Sequence, residues 1–312
     1  MYVLAFDTSA YTSSLALVDE EERLLWEGRR ILTVDLGRLG LRQSEAVFAH
    51  IKNLAPLWEA GAKRLGRGKL AAVAAATQPR PIEDSYMPVF KVGQAFGTFI
   101  AQTMDLPFIS TSHQEGHIMA GLWSAGLPPG RYLVAHLSGG TTELLTVTEN
   151  PPGHLRIRII GGSLDLHAGQ FVDRLGVAMG FQFPAGKALE ELAGSASGVL
   201  KLPVAVTGTQ ISFSGPASQA ERYLQQGCCY RELARAVEIC LADSLARVLE
   251  AVPNLSSFQG LLLVGGVASN RFIQQRLKER FNVLPVSGAA AGFSGDNAVG
   301  VAVQAVRRLA QE

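Results

Sequence analysis

Apolar residues fall along this chain in two rhythms. Short, nearly unbroken runs at 2–6, 14–18, 70–77, 106–110, 132–137, 143–147 and 260–264 predict buried strands. Longer stretches carry apolar residues three or four apart and predict amphipathic helices. They cover 42–65 (Ala46, Phe48, Ile51, Leu54, Leu57), 90–104, the segment through Phe171, Leu175 and Met179, 231–252 (Leu233, Val237, Cys240, Leu241, Leu245, Val248) and 298–309. Gly93 and Gly97, one turn apart, predict close approach of another element to the second helix. Strands alternating with helices specify the α/β class.

The rhythm also repeats. The first strand leads into Asp7-Thr8-Ser9, expected to turn the chain and to aim its Asp and hydroxyls at a phosphate or its metal. Charged Asp19-Glu20-Glu21-Glu22-Arg23 then makes a hairpin tip before Leu24-Leu25-Trp26. At 132–147 the order returns as strand, Ser138-Gly139-Gly140-Thr141-Thr142, strand. A duplicated unit predicts two related lobes with a cleft between them. The boundary is expected at Pro128-Pro129-Gly130, giving 1–127 and 128–312, with the last helix able to pack back on the first lobe. Glycines in the second turn let backbone N–H groups approach phosphate oxygens, although a plain hairpin uses the same residues. The strand at 260–264 opens into Gly265-Gly266-Val267-Ala268-Ser269-Asn270 and a helix, which presents backbone amides to an anion. Two such turns together favour a nucleotide cleft.

His113-Gln114-Glu115-Gly116-His117 opens a helix just past the strand at 106–110. Imidazoles four apart lie about 40° apart around a helix and can share one ion. Strand carboxyl ends are also where α/β proteins hold ligands. Two surface histidines need no metal, so a third ligand decides. Asp296, in Gly292-Phe293-Ser294-Gly295-Asp296-Asn297, is either an N-cap or a cleft carboxylate completing a two-histidine, one-carboxylate site. Glu115 lies about 200° around the helix from His113. A zinc protease would need its glutamate beside the first histidine, so that class is discounted.

At 312 residues and 47% apolar, the chain can bury two cores. Lys plus Arg number 28 against 27 for Asp plus Glu, so no overall field announces a nucleic-acid binder, local patches aside. No uninterrupted apolar run reaches the roughly 18 residues of a membrane span, and no basic-then-apolar leader begins the chain. Cys228, Cys229 and Cys240 lack metal spacing. A soluble cytoplasmic protein with reduced thiols and no membrane partner is expected.

In order along the chain stand Asp7-Thr8-Ser9, His113-x-Glu115-Gly116-His117, Ser138-Gly139-Gly140-x-Thr142, Ser212-Phe213-Ser214-Gly215, Gly265-Gly266-Val267-Ala268-Ser269-Asn270 and Asp296-Asn297. This series resembles the tRNA threonylcarbamoyladenosine-forming transferases of the TsaD type, formerly described as O-sialoglycoprotein endopeptidases or glycoproteases. The resemblance spans essentially the whole chain and implies the two-lobed actin, Hsp70 and sugar-kinase (ASKHA) fold. It implies one divalent metal, zinc or iron, on His113, His117 and Asp296. It also implies an adenine nucleotide across the second lobe. Gly139, Gly140 and Thr142 would meet its phosphates, Asp173 its ribose, and Gly186, Gly266 and Asn270 its sugar and base region. In the family the metal orients a threonylcarbamoyl adenylate, whose carbonyl is attacked by the amino group of a tRNA adenosine while AMP leaves. Partner subunits of the modification complex are implied with it.

The chain departs from that pattern where substrate is handled. Ala10, Tyr11 and Thr12 stand where the family has Cys, Asp and Glu, so a phosphate-facing carboxylate is lost and ATP hydrolysis should be slow or absent. Thr141 replaces a histidine. Gln78-Pro79-Arg80-Pro81 replaces Gly-Pro-Gly-Leu and runs on into Glu83-Asp84-Ser85-Tyr86-Met87-Pro88. Gly169-Gln170-Phe171-Val172-Asp173-Arg174 replaces Gly-Glu-Ala-Phe-Asp-Lys, and the segment between Gly186 and Ser212 is short. A divergent paralogue is expected, one that keeps the metal and nucleotide but cannot replace the tRNA-modifying enzyme. Arg80 is expected either to shape a new substrate pocket or to pair with Glu83 or Asp84 in a solvated loop. The alternatives are a non-catalytic scaffold, which the retained metal residues oppose, and a sugar-kinase-like phosphotransferase, for which no catalytic Asp is identified.

Overall fold

A computed structural model describes the chain except for residues 10, 36–39, 283 and 312. Five strands, β1 (Tyr2–Ser9), β2 (Thr12–Asp19), β3 (Leu24–Ile31), β4 (Leu70–Gln78) and β5 (Phe108–Ser112), form a sheet in the order β3-β2-β1-β4-β5. The first three are an antiparallel meander, and β4 and β5 continue parallel to β1. Seven strands form the second sheet: β6 (Arg131–Leu137), β7 (Thr142–Glu149), β8 (Leu155–Ser163), β9 (Ala205–Thr207), β10 (Gln210–Ser212), β11 (Leu261–Val264) and β12 (Val286–Gly288). Its order is β12-β11-β6-β7-β8-β10-β9, with β11 and β12 parallel to β6. Read from β8 to β12 it repeats the first sheet strand for strand, so the duplication in the apolar pattern is a duplication of topology.

Nine helices cover these sheets: α1 (Gln43–Leu65), α2 (Phe90–Thr103), α3 (His113–Ser124), α4 (Ala168–Ala178), α5 (Gly186–Ala193), α6 (Ser214–Gln225), α7 (Tyr230–Glu250), α8 (Arg271–Arg280) and α9 (Val299–Leu309), counted among the described residues. Strand side chains alternate between faces. Leu4, Phe6, Leu15 and Leu17 meet Leu54 of α1 and Val92 of α2, while Val3, Ala5, Ala16 and Val18 meet Val299, Val301 and Ala302 of α9. The final helix therefore belongs to the core of the first sheet. In the second lobe Leu133, Ala135 and Leu263 pack on α4, α5, α7 and α8.

α3 is the layer between the two lobes. Its Met119 joins the core under the first sheet, and its Ile118 and Leu122 pack on Tyr132, Val134, Leu262 and Val264 of the second. Gln114 through Leu122 are all buried. α9 crosses it at a pair of glycines: a Cβ on Gly300 would strike the Gly116 carbonyl, so side chains at this crossing are excluded.

Two expectations fail locally. Asp7-Thr8-Ser9 is not a turn; it is the buried end of β1, paired with Ser14, Ser13 and Thr12 of β2. Phe48 and Ile51 do not face the core from α1 but lie exposed, while Ala46 and Leu54 are buried as expected, together with His50, Asn53 and Gly61. The buried polar pair is possible because Ser13 of β2 lies 2.8 Å from His50 Nδ1 and accepts from Asn53 Nδ2 at 3.1 Å. Glycines 93 and 97 are used as expected, with Thr8 and Phe6 against the first and Phe108 and Val73 against the second.

Candidate functional site

α3 begins where β5 ends. Ser112 Oγ accepts from Glu115 N at 3.2 Å, and the Glu115 carboxylate accepts from Ser112 N at 2.9 Å and Ser112 Oγ at 2.7 Å. This reciprocal cap fixes the first helical turn and turns Glu115 away from the cleft, toward Gln304 and Arg308 of α9. His113 and His117 then project side by side, with their Nε2 atoms 3.1 Å apart. Asp296 Oδ1 lies 3.2 Å from His117 Nε2 and 3.5 Å from His113 Nε2. Donors held at about 2.0–2.2 Å from one ion are separated by roughly 3–3.5 Å, so this triangle has the size of one face of a coordination shell. Asp296 is not the cap of α9; Asn297 Oδ1 takes that place by accepting from Val299 N at 3.0 Å.

Behind the triangle stand the residues that orient it. His113 Nδ1 donates to Asp7 Oδ2 at 2.7 Å, and Ser9 Oγ donates to Asp296 Oδ2 at 2.9 Å. Asp7 and Ser9 thus face the candidate metal ligands, a link invisible in sequence because the partners are 106 and 287 positions away. Burial lowers the affinity of His113 for a proton, but Asp7 and Asp296 outweigh it and raise its pKa to about 10. Burial alone would raise Asp296, yet His113 and His117 hold it well below the usual carboxylate range. Two imidazole nitrogens and a carboxylate within 4.8 Å of one another are a donor set suited to a cation.

Sequence reading missed His136. It sits in an apolar run on β6, is 3% exposed, and its ring centroid lies 5.0 Å from that of His117. Neither ring nitrogen has a partner among the described residues, and burial followed by the nearby His117 pushes its pKa well down.

The second lobe holds a cavity of about 350 Å³ lined by Gly139, Asp173, Gly186, Gly266 and Asn270, with Lys187 and Glu238. Five of the seven residues implied for the nucleotide meet there. A methyl group on Gly139, Gly140 or Gly266 would touch nothing within 4 Å, so both turns open onto free space. Gly265 differs: its φ is +97°, and a Cβ would collide with the Leu137 carbonyl. Thr142 is buried, and its Oγ1 accepts from Ala168 N at 2.7 Å, which ties the start of α4 to the turn. Asp173 Oδ1 accepts from Ala185 N at 2.8 Å, and burial raises its pKa. Asn270 caps α8 through Ile273 N and donates to Glu238 Oε1 at 2.6 Å. Glu238 had no signal in sequence, being one polar position on an otherwise apolar helical face.

A smaller hollow of about 150 Å³ shares Gly139 and Asp173 with this cavity and reaches Tyr11, Gln170, Arg174 and Phe183. The Tyr11 ring meets Phe183 edge-on at 5.1 Å, so the first lobe touches the second at the cavity's rim. Ala10 lies outside the described residues. Arg80 pairs with neither Glu83 nor Asp84; its Nη2 crosses to Glu143 of the second lobe at 2.7 Å.

The sequence profile of TsaD, tRNA N6-adenosine threonylcarbamoyltransferase, matches residues 40–303. The chain belongs to this family. A relative from Thermus thermophilus named tRNA N6-adenosine threonylcarbamoyltransferase is 31% identical over 99% of the chain and 93% of its own length. Among solved structures, HypF from T. kodakarensis aligns with 99% of the chain and 48% of its own, with a TM-score of 0.63 at 14% identity. A ROK-family glucokinase from Streptomyces griseus, solved with glucose and AMPPNP, aligns over 100% of both chains with a TM-score of 0.53 at 14% identity. These likenesses establish the ASKHA fold. A transferase family on this fold agrees with the absence of a zincin glutamate beside His113. No described helix is long and apolar enough to cross a membrane.

Proposed function

We propose that this protein transfers a threonylcarbamoyl group from its adenylate to a nucleophilic amine, releasing AMP, with a divalent cation held by His113, His117 and Asp296. The observation that carries this reading is the triangle of three donor atoms 3.1–3.5 Å apart, held from behind by Asp7 and Ser9, in a chain whose second lobe holds a cavity of about 350 Å³ lined by five of the residues implied for a nucleotide. His113, His117 and Asp296 would hold a cation, zinc or iron, that would supply Lewis-acid polarisation of the acyl carbonyl. The open Gly139-Gly140 turn offers backbone N–H groups to the phosphate, and Gly266 leaves room for the nucleoside. Asp173 and Glu238 present carboxylates at the cavity wall for ribose hydroxyls, with Asn270 holding Glu238 in place. Without a carboxylate at Thr12, ATP hydrolysis is slow or absent.

The acceptor named for the relatives is a tRNA adenosine. Two contacts favour a different or narrower acceptor here. Tyr11 closes on Phe183, and Arg80 locks on Glu143, so the altered positions are built into the cleft. The protein is expected to bind threonylcarbamoyl adenylate and release AMP from it only when loaded with metal. It is expected not to restore the modified nucleoside in cells lacking the tRNA-modifying enzyme. AMP release that is independent of metal overturns the centre, and full rescue measured by nucleoside mass spectrometry overturns the altered acceptor.

A further inference from the structure

Arg80 lies between β4 and α2, and its side chain crosses the cleft. Nη2 meets Glu143 Oε1 at 2.7 Å, while Glu143 Oε2 accepts from Gln114 Nε2 at 2.7 Å. Gln114 follows the ligand His113 on α3, and Glu143 follows Thr142 at the start of β7. The guanidinium is therefore tied to both the metal helix and the phosphate turn. Its backbone is fixed as well: Arg80 N donates to Ser85 Oγ at 3.0 Å, its carbonyl accepts from Gln78 Nε2 at 2.8 Å, and Gln114 N donates to the Pro79 carbonyl at 3.0 Å. Among the described residues, Arg80 Nε and Nη1 have no protein partner. Glu143 meets the planar fork at Nη2, which leaves the Nε and Nη1 N–H groups as donors for a ligand.

The same region has polar groups that lack partners. His136 is the register partner of Glu143 across β6 and β7, and both of its buried ring nitrogens are unbonded. His167 Nδ1 is buried and unbonded too. A buried polar atom left unpaired costs about 1–3 kcal/mol, so such a cluster marks where polar atoms of a ligand belong.

In the transferase reading the Gly139-Gly140 turn takes the adenylate phosphate and the triad faces the acyl carbonyl. What remains of the acyl group is its amino-acid end, which carries a carboxylate. We propose that Arg80 recognises this carboxylate and, with His136, forms the acyl subsite, making Arg80 the residue that selects an anionic acyl group over a neutral one. The inference rests on the transferase reading. A neutral acyl end gains little from an arginine paired with Glu143, whereas a carboxylate gains charge-assisted hydrogen bonds from Nε or Nη1.

The test titrates the metal-loaded full chain with three probes. They are AMP, a hydrolytically stable threonylcarbamoyl adenylate analogue, and the same analogue with its carboxylate converted to carboxamide. The wild type is expected to favour the carboxylate over the carboxamide by roughly tenfold or more. Arg80→Gln should erase that preference by weakening the carboxylate probe alone, and Arg80→Lys should keep part of it. Thermal unfolding checks that each variant is folded. An Arg80→Gln protein that still prefers the carboxylate overturns the proposal. So does an equal loss for all three probes, which makes Arg80 a strut between lobes. A wild type that binds no AMP fails the transferase reading itself, and this inference with it.

Discussion

The two lobes repeat one topology, yet their first hairpins are built in opposite ways. Where β1 meets β2, side chains turn inward: Asp7 holds His113, Ser9 holds Asp296, and Ser14 Oγ accepts from Ala298 N at 2.9 Å. Where β6 meets β7, Gly139 and Gly140 have no side chains, and a Cβ on either would meet nothing within 4 Å. One hairpin is a mount for the candidate cation ligands, and the other is an exposed row of backbone groups suited to an anion. Duplication supplied the same frame twice, and side-chain content divided the tasks.

The largest expected effect breaks the first hairpin's role. His117→Ala should abolish stoichiometric metal binding with the fold intact, measured by elemental analysis and circular dichroism. Full metal content in the folded variant would show that the ligands are wrongly assigned.

Next, the glycines of the second lobe should divide by geometry. Gly265→Ala must place a Cβ against the Leu137 carbonyl at positive φ, and should cost about 2–4 kcal/mol in urea unfolding. Gly140→Ala meets open space and should change stability by less than about 0.5 kcal/mol. Equal losses at both positions would remove the distinction between a required glycine and an open one.

Asp7→Asn sharpens the comparison. It leaves all three candidate ligands in place and should weaken metal binding by about 10–100-fold. Metal affinity equal to wild type in a competitive chelator titration would reduce Asp7 to a packing residue.

The smallest effect concerns what the second sheet adds beyond the repeat, the β9–β10 pair. Asp165 accepts from Ser212 Oγ at 2.6 Å and Phe213 N at 2.9 Å, fastening the end of β10. Burial would raise its pKa, but these hydrogen bonds lower it well below the usual carboxylate range. A depressed carboxylate stabilises the fold above its ordinary pKa, and that contribution is lost as pH falls through the folded value. Asp165→Asn should therefore cost about 1 kcal/mol or less near neutral pH, since the group is largely exposed, and nothing in strong acid. A cost that persists in strong acid would point to shape rather than charge.

Local pattern disclosed the alternation of strands and helices, the repeat, and the two histidines, because each is written within a few residues. Facts written across the chain were hidden. Phe48 and Ile51 fit a helical stripe, but the face of α1 was chosen by Ser13, which bonds polar His50 and Asn53 from another strand. α6 went unnoticed because only Pro216 and Ala220 of its residues are buried, too few to leave a stripe. His136 and Glu238 looked like ordinary positions in apolar elements until the fold set one beside His117 and the other beside Asn270. The Arg80 pairing was equally unreadable, since nearer acids in sequence offered themselves first.

The crossing of α9 over α3 has a consequence in time. His117 and Asp296 are 179 positions apart, and Asp296 is delivered by the loop that leads into α9. During synthesis the two histidines emerge long before Asp296, so a nascent chain exposes only two of the three candidate ligands. Tight capture of a cation must wait until α9 has docked over Gly116. A metal acquired at that moment would bind only the folded chain, so late loading and resistance to unfolding would become one event.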